Sequence, residues 1–139
     1  MIICEVGLNH LGDEQYADQY IDAVLKSRAD AVTFQVLKDS FYENERFKKF
    51  QLGEEFLMRA SQRIKSGHKH FGAALDDEGA IDFLESQDVA FYKVLSKDIH
   101  NFDLIDRLIE NTKRKIFVST GMSDMGEIDL LFERIKSVK

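Results

Sequence analysis

Short apolar runs alternate along the chain with segments in which apolar residues recur every three or four positions. The runs are rich in Val, Ile, Phe and Tyr, which favour strands. They predict five strands, at residues 2–6, 31–36, 70–74, 89–94 and 116–118. Each run is almost continuously apolar, as expected for parallel strands that are buried on both faces.

The intervening segments predict amphipathic helices, because a spacing of three and four places apolar residues on one face. The four clear stripes are Ala17, Tyr20, Ile21, Val24 and Leu25; Phe56, Ala60 and Ile64; Phe102, Ile105, Leu108 and Ile109; and Ile128, Leu131, Phe132 and Ile135. A weaker helix is predicted at residues 77–87, with Ile81 and Leu84 inward. Asp124 and Glu127 have the spacing of a capping box at the start of the last helix.

Strict alternation of strands and helices predicts an α/β fold with a parallel sheet. Five βα units in 139 residues fit the beginning of a (β/α)₈ TIM barrel, which needs eight units and roughly 250 residues. An open, doubly wound five-stranded sheet is the competing architecture. The long connection at residues 37–53 is charged and aromatic, and is interpreted as a lid, a subunit contact or a solvated loop.

Composition narrows the classes of function. The net charge is −6 and acids and bases are interspersed, which argues against a nucleic-acid binder with a basic face. No run approaches a membrane span, and the N-terminus lacks the basic region of a signal peptide. The single cysteine, Cys4, lies in an apolar run. It cannot form an internal disulfide, so we expect a buried thiol in a cytoplasmic protein.

The first two strand ends carry polar residues where parallel α/β folds bind ligands. Glu5 lies within the first strand, and Asn9 and His10 follow on a glycine-flanked turn. Gln35 is polar in a strand that should be buried, so it must find partners. A substrate site and an ordinary hydrogen-bonded turn are about equally compatible with these residues.

The fourth and fifth strand ends have the chemistry of an anion site. Lys93 ends a buried strand, which is costly unless the ammonium meets an anion or a carboxylate, and Ser96 follows three residues later. Ser119 and Thr120 precede a glycine between strand and helix, where hydroxyls and backbone N–H groups can face an anion. A salt bridge from Lys93 to a nearby acid is the structural alternative. The histidines lack the spacing of a metal site.

Taken together, these strand ends resemble the sialic acid (N-acetylneuraminate) synthase family. The resemblance rests on a run at residues 4–13 that is similar to Glu-Ile-Gly-Ile-Asn-His-Asn-Gly, and on a run at 29–35 that is similar to Ala-Asp-Ala-Val-Lys-Phe-Gln. It also rests on a Lys-Val-Leu-Ser run at 93–96 and on the fifth strand end at 118–122. The four motifs occur in the family's order across essentially the whole chain.

The resemblance implies a phosphoenolpyruvate-dependent condensation with an N-acetylated hexosamine of the N-acetylmannosamine type, giving a nonulosonic acid and phosphate. It implies a catalytic role for Glu5 and a place for Gln35 in the same pocket. Lys93 and Ser96 would hold phosphoenolpyruvate, Ser119 a phosphate oxygen, and Thr120 would lie beside it. Asn9 and His10 would shape the first loop. A divalent metal, Mn²⁺ or Mg²⁺, is expected for the family.

Several positions depart from the family pattern. Thr33 stands where the family has a phosphoenolpyruvate-binding lysine, and Ala74 where it has a threonine. Leu11 replaces the second asparagine of the first motif. The histidines that hold the metal, the later barrel strands and the C-terminal antifreeze-like domain are expected beyond residue 139. Residues 1–139 are therefore expected to form a partial barrel domain without metal ligands.

Three interpretations remain open. The chain is a synthase that is incomplete at this length, a non-catalytic partial barrel that binds sugar or assembles with other chains, or an aldolase that uses Lys93 as a Schiff-base amine. A five-stranded piece also has two open sheet edges, which invite pairing with another chain. We therefore expect a homo-oligomer.

Overall fold

Five parallel strands form a single sheet whose strand order follows the chain, β1-β2-β3-β4-β5. The computed structural model describes residues 1–138. The strands are β1 (Ile3–Gly7), β2 (Ala31–Val36), β3 (His70–Leu75), β4 (Phe91–Val94) and β5 (Lys115–Val118). All five predicted strands are thus confirmed, with shifted ends; residues 89 and 90, for example, precede β4 and lie outside it.

The connections contain the predicted helices. These are α1 (Glu14–Lys26), α2 (Asp39–Tyr42), α3 (Glu54–Ser66), α4 (Ile81–Ser86), α5 (Phe102–Asn111) and α6 (Met125–Val138). The weak helix becomes a 3₁₀ turn at Glu78–Ala80 followed by α4, and Ile81 and Leu84 are buried as predicted. The capping box at α6 is confirmed by two reciprocal hydrogen bonds of 2.9 Å between Asp124 and Glu127.

The sequential strand order decides between the two architectures considered above. A doubly wound sheet reverses its strand order at a switch point, whereas this sheet adds every strand on the same side. Right-handed crossovers in such a sheet place the helices on one face and leave the other face for a barrel interior. The fold is therefore the α/β arrangement of a TIM barrel, with five βα units present.

The hydrophobic core lies between the sheet and the helices. Val32, Phe34, Phe71 and Tyr92 point to this face and are at most 1% exposed. Phe34 meets Phe56 of α3 edge-on, with ring centroids 5.6 Å apart. The alternate positions, including Glu5, Thr33, Gln35, Ala74 and Lys93, share the opposite, inner face through the strand register.

The long connection at residues 37–53 is more ordered than a solvated loop. It contains α2 and a 3₁₀ turn at Lys48–Phe50, and the ring of Phe41 stacks on that of Phe47 at 4.7 Å. Tyr42 is 6% exposed, and its burial raises the pKa of its hydroxyl to about 12. This segment is thus anchored to the core and places Phe41 beside the carboxyl ends of the strands.

Two other sequence expectations concern burial and edges. Cys4 packs partly buried against the core. Within residues 1–138, β1 and β5 each pair with one strand, so both edges of the sheet are open. The expected self-association through these edges stays a prediction. No helix in this range is both long and apolar enough to cross a bilayer.

Gly12 holds the first βα loop against the long connection, and this contact generates a stability prediction. Its φ is +80°, and an added Cβ would lie 1.5 Å from the carbonyl oxygen of Lys49. We expect Gly12→Ala to lower the free energy of unfolding by about 1–3 kcal/mol from backbone strain alone, with a further loss from the overlap. Urea unfolding followed by circular dichroism measures this change.

Gly53→Ala is the matched control, because an added Cβ at Gly53 meets nothing within 4 Å. Gly53 precedes α3 as its N-cap, so this change should cost less than about 1 kcal/mol. Equal losses in the two variants would show that the loop contact at Gly12 does not stabilise the fold.

Candidate functional site

A cleft of about 380 Å³ opens at the carboxyl ends of the strands. Its polar lining comes from β1, β2, β4 and the loops after β4 and β5: Glu5, Gln35, Lys93, Ser96, Lys97 and Ser119. Its apolar wall is formed by Leu8, Leu37, Phe41 and Leu95. We call this the mouth cleft. It brings together the predicted residues Glu5, Gln35, Lys93, Ser96 and Ser119.

The centre of the mouth cleft is a salt bridge between Lys93 and Glu5. The second carboxylate oxygen of Glu5 accepts a longer hydrogen bond, 3.5 Å, from the amide nitrogen of Gln35. The side chains of Lys93 and Glu5 keep 25% and 38% of their exposure. The pair is therefore accessible to a ligand, and the salt bridge foreseen as the structural alternative for Lys93 is present.

Ser96 and Ser119 border the cleft on the β4–β5 side. Ser96 begins a 3₁₀ turn, Ser96–Asp98, directly after β4, and the backbone N–H of Ser119 donates to the carbonyl of Val94 at 3.1 Å. Gly121 lies against Ser96, since an added Cβ there would be 3.7 Å from the Ser96 Cβ. The two hydroxyls thus come from neighbouring loops. Thr120 is exposed and does not line the cleft.

Asn9 and His10 organise the first loop and do not line the mouth cleft. The Asn9 side chain donates to the carbonyl of Val6 at 2.7 Å. His10 is 1% exposed, and its Nδ1 accepts from the Gly12 N–H at 3.0 Å. Burial lowers the pKa of His10, although the Gly7 carbonyl offsets part of the effect. The neutral ring therefore shapes the loop, and a substrate contact for either residue stays a prediction.

Thr33 and Ala74 lie beneath the mouth cleft on the inner face. Both are 0% exposed, and the Thr33 hydroxyl has no hydrogen-bond partner among residues 1–138. A neutral hydroxyl and a methyl group at these two positions supply no charge to a ligand. Small, uncharged side chains therefore occupy the inner face on the two strands that lie between Glu5 and Lys93.

Sequence reasoning missed the apolar wall of the cleft, which includes Phe41, and the charged residue Lys97. Phe41 belongs to the long connection, whose position depends on packing of distant segments. Lys97 directly follows Ser96, and that adjacency to a strand end was the available signal. A charged residue in a loop is, however, ordinarily solvated, so the signal is weak.

The described residues do not fit a divalent metal by themselves. No group of three His, Cys, Asp or Glu side chains within residues 1–138 is placed to hold one ion. Glu5, the carboxylate at the centre of the cleft, is already bound to the Lys93 ammonium. No chemistry through a metal follows from these side chains.

A second groove, of about 360 Å³, lies between α5, β5 and α6. Its walls are largely apolar, with Ile105, Ile109, Ile116 and Ile135 among the lining side chains. Its polar lining consists of Thr112, Lys113 and Arg114. The mouth cleft, in contrast, combines a carboxylate, an amide, two lysines and two serine hydroxyls.

Comparison with known proteins identifies the family of the chain. The model of the NeuB family matches residues 20–139. The chain belongs to the NeuB family. An N,N'-diacetyllegionaminic acid synthase of Legionella pneumophila is 31% identical to this NeuB chain over 155 aligned positions, covering 97% of the chain and 43% of the relative. The chain thus spans less than half the length of that relative.

Solved structures extend the comparison. A crystal structure of an N-acetylneuraminic acid (sialic acid) synthetase from Leptospira borgpetersenii, in complex with citrate, matches with a TM-score of 0.88 and 26% identity. The match covers 99% of this chain and 50% of the synthetase chain. A second match is a truncated 3-deoxy-D-arabino-heptulosonate 7-phosphate synthase from Thermotoga maritima, with a TM-score of 0.72 and 12% identity. This match covers 99% of this chain and 47% of that synthase chain, and it shows a shared fold alone.

The burial of His10 generates a prediction about pH. Its pKa lies below the ordinary value of 6.5, so the unfolded chain binds a proton that the folded chain does not. The stability that depends on the neutral ring is present above pH 6.5 and is lost as the pH falls through the lowered pKa. We expect His10→Gln to remove this part of the pH dependence, measured by urea unfolding at several pH values.

His68→Asn is the matched control, because His68 is exposed and its backbone has a positive φ that asparagine tolerates. This variant should keep the wild-type pH dependence. The account of His10 is wrong if the His10→Gln and wild-type stabilities run parallel across the acid range.

Proposed function

We propose that this protein carries the phosphoenolpyruvate-binding part of a nonulosonic acid synthase. The whole reaction would condense phosphoenolpyruvate with an N-acetylated hexosamine in its aldehyde form. Membership in the NeuB family supports this class of reaction. Since the chain spans 43% of its synthase relative, the activity of residues 1–139 alone is expected to be weak or absent.

One observation carries the proposal: an ammonium and two hydroxyls converge with a carboxylate and an amide in one cleft. Lys93, Ser96 and Ser119 are donors suited to carboxylate or phosphate oxygens. Glu5 and Gln35 face the same space and suit the hydroxyls of a sugar or the attacking water. The set matches a small anionic ligand beside a polyol.

The proposed reaction forms one C–C bond. C3 of phosphoenolpyruvate attacks the aldehyde carbon, whose oxygen takes up a proton, and water adds to C2. Loss of phosphate then gives the 2-keto acid. Lys93 would balance the negative charge of the bound ligand, and Glu5 would orient the sugar or the water. The described side chains do not fit the divalent metal that the family resemblance implies, so none of the residue roles given above involves it.

A binding module without catalysis is the second candidate, and the inner face favours it specifically. Thr33 and Ala74 are fully buried and give the ligand neither a charge nor an accessible hydroxyl. A site with fewer ligand contacts would retain anion binding and lose turnover. Release of phosphate from phosphoenolpyruvate, N-acetylmannosamine and Mn²⁺ above the rate without protein would rule out the binding module, since only a synthase releases phosphate.

The proposal predicts that Lys93 governs binding of phosphoenolpyruvate. Loss of a charge-assisted hydrogen bond costs about 1.5–3 kcal/mol, so Lys93→Met should weaken binding at least about tenfold. Isothermal titration calorimetry with phosphoenolpyruvate measures the change. Glu5→Gln combined with Lys93→Met should bind equally weakly while leaving no unpaired carboxylate in the cleft.

Lys115→Met is the matched control, because Lys115 is an exposed lysine on β5 at the opposite end of the sheet. Unchanged affinity in Lys93→Met, or an equal loss in Lys115→Met, would contradict the proposal. Borohydride reduction with pyruvate tests the aldolase alternative, which needs a free amine at Lys93. Because Lys93 is held by Glu5, we expect no covalent adduct.

A further inference from the structure

The mouth cleft contains a second cation besides Lys93. Among the side chains of residues 1–138 that line it, the positively charged ones are Lys93 and Lys97. Lys93 is balanced by Glu5, and the buried Thr33 adds no charge from β2. Phosphoenolpyruvate carries both a carboxylate and a phosphate, so one partly balanced ammonium is little compensation for it.

Lys97 is held at the rim by two carboxylates. Its ammonium forms an ion pair with Asp76 at the end of β3, and it lies 3.0 Å from Asp98. The Asp76 side chain is only 8% exposed, and its other oxygen accepts the backbone N–H of Lys38 at 2.8 Å. Asp76 therefore joins the loops that follow β2, β3 and β4 around the cleft.

A buried carboxylate of this kind fixes the position of its cation. A buried charge without a partner is strongly unfavourable, so Asp76 keeps the Lys97 ammonium at the rim although the lysine side chain is 56% exposed. Burial by itself would lower the pKa of Lys97, but the adjacent carboxylates of Asp76 and Asp98 outweigh it and raise the pKa. The ammonium stays charged at neutral pH.

The ammonium retains donor capacity for a ligand. A lysine ammonium has three N–H donors, and Asp76 takes one of them. Within the described part of the chain, Oδ2 of Asp98 is buried and accepts no well-directed hydrogen bond, so its contact with Lys97 is mainly electrostatic. At least one N–H is therefore free for an oxygen of a ligand in the cleft.

We propose that Lys97 is a second anion-binding residue of the mouth cleft and that Asp76 is its positioning residue. This inference rests on the proposed function and adds to it the residue that supplies the charge absent at Thr33. The ligand group is an anionic oxygen of a carboxylate or a phosphate. Lys93 would contact it from β4, and Lys97 from the 3₁₀ turn that follows this strand.

The test compares binding of three probes, phosphoenolpyruvate, pyruvate and inorganic phosphate, by isothermal titration calorimetry. We expect Lys97→Gln to weaken phosphoenolpyruvate binding about tenfold or more, and Lys97→Arg to restore most of it. A parallel loss of affinity for pyruvate would show that Lys97 contacts the carboxylate of phosphoenolpyruvate. A parallel loss for inorganic phosphate would show that it contacts the phosphate. Lys26→Gln, at an exposed position in the last turn of α1, is the matched control and should bind like the wild type.

Removal of Lys97 leaves Asp76 without its cation, so the fold needs its own control. The double variant with Asp76→Asn and Lys97→Gln removes both charges and should fold with the same weak binding. Asp76→Asn alone keeps the lysine but not its position, and should give an intermediate affinity with a steeper dependence on salt.

The outcomes distinguish this inference from the proposed function. If Lys97→Gln and the double variant bind phosphoenolpyruvate as tightly as the wild type, the role of Lys97 is overturned and the proposed function is not. Wild-type protein that binds none of the three probes overturns both the proposed function and this inference. Weaker binding in Lys97→Gln together with rescue by Lys97→Arg supports the role of Lys97.

Discussion

The salt bridge between Glu5 and Lys93 is the constraint on which the candidate site depends, because it joins two strands that are not neighbours. Two strands separate β1 from β4, and a flat sheet would place them about 14 Å apart. The sheet must curl toward its inner face for the two side chains to meet. Thr33 and Ala74, buried beneath the pair, are small enough to leave it room.

The parts of the molecule that could be predicted from the sequence are those that depend on local patterns. Apolar periodicity indicates the strands and helices, since each pattern is local and repeats with the period of its element. Strand ends identify Glu5, Gln35, Lys93, Ser96 and Ser119, because parallel strands all finish at one edge. Apolar periodicity alone left the barrel and the doubly wound sheet open. The family resemblance implied the barrel, and the sequential strand order confirms it.

The remaining features depend on contacts between distant segments. Phe41 reaches the cleft because residues 37–53 pack on the core and against Gly12. His10 is buried, and Nδ1 of its ring accepts the hydrogen bond of the Gly12 N–H, which a backbone carbonyl would otherwise accept. The Asp76–Lys97 pair joins two loops that are far apart in sequence. Local patterns carry no signal for such pairings, so neither residue was recognised in advance.

The central claim is that a three-carbon anion binds at the mouth cleft. Titration of ¹⁵N-labelled protein with phosphoenolpyruvate, followed by backbone amide chemical shifts, tests it most directly. We predict that the perturbed amides group at the ends of β1, β4 and β5, with Ser96 and Ser119 among the most affected. Shifts confined to the apolar groove beside Ile109 and Ile135, or no saturable shifts at all, would contradict the claim.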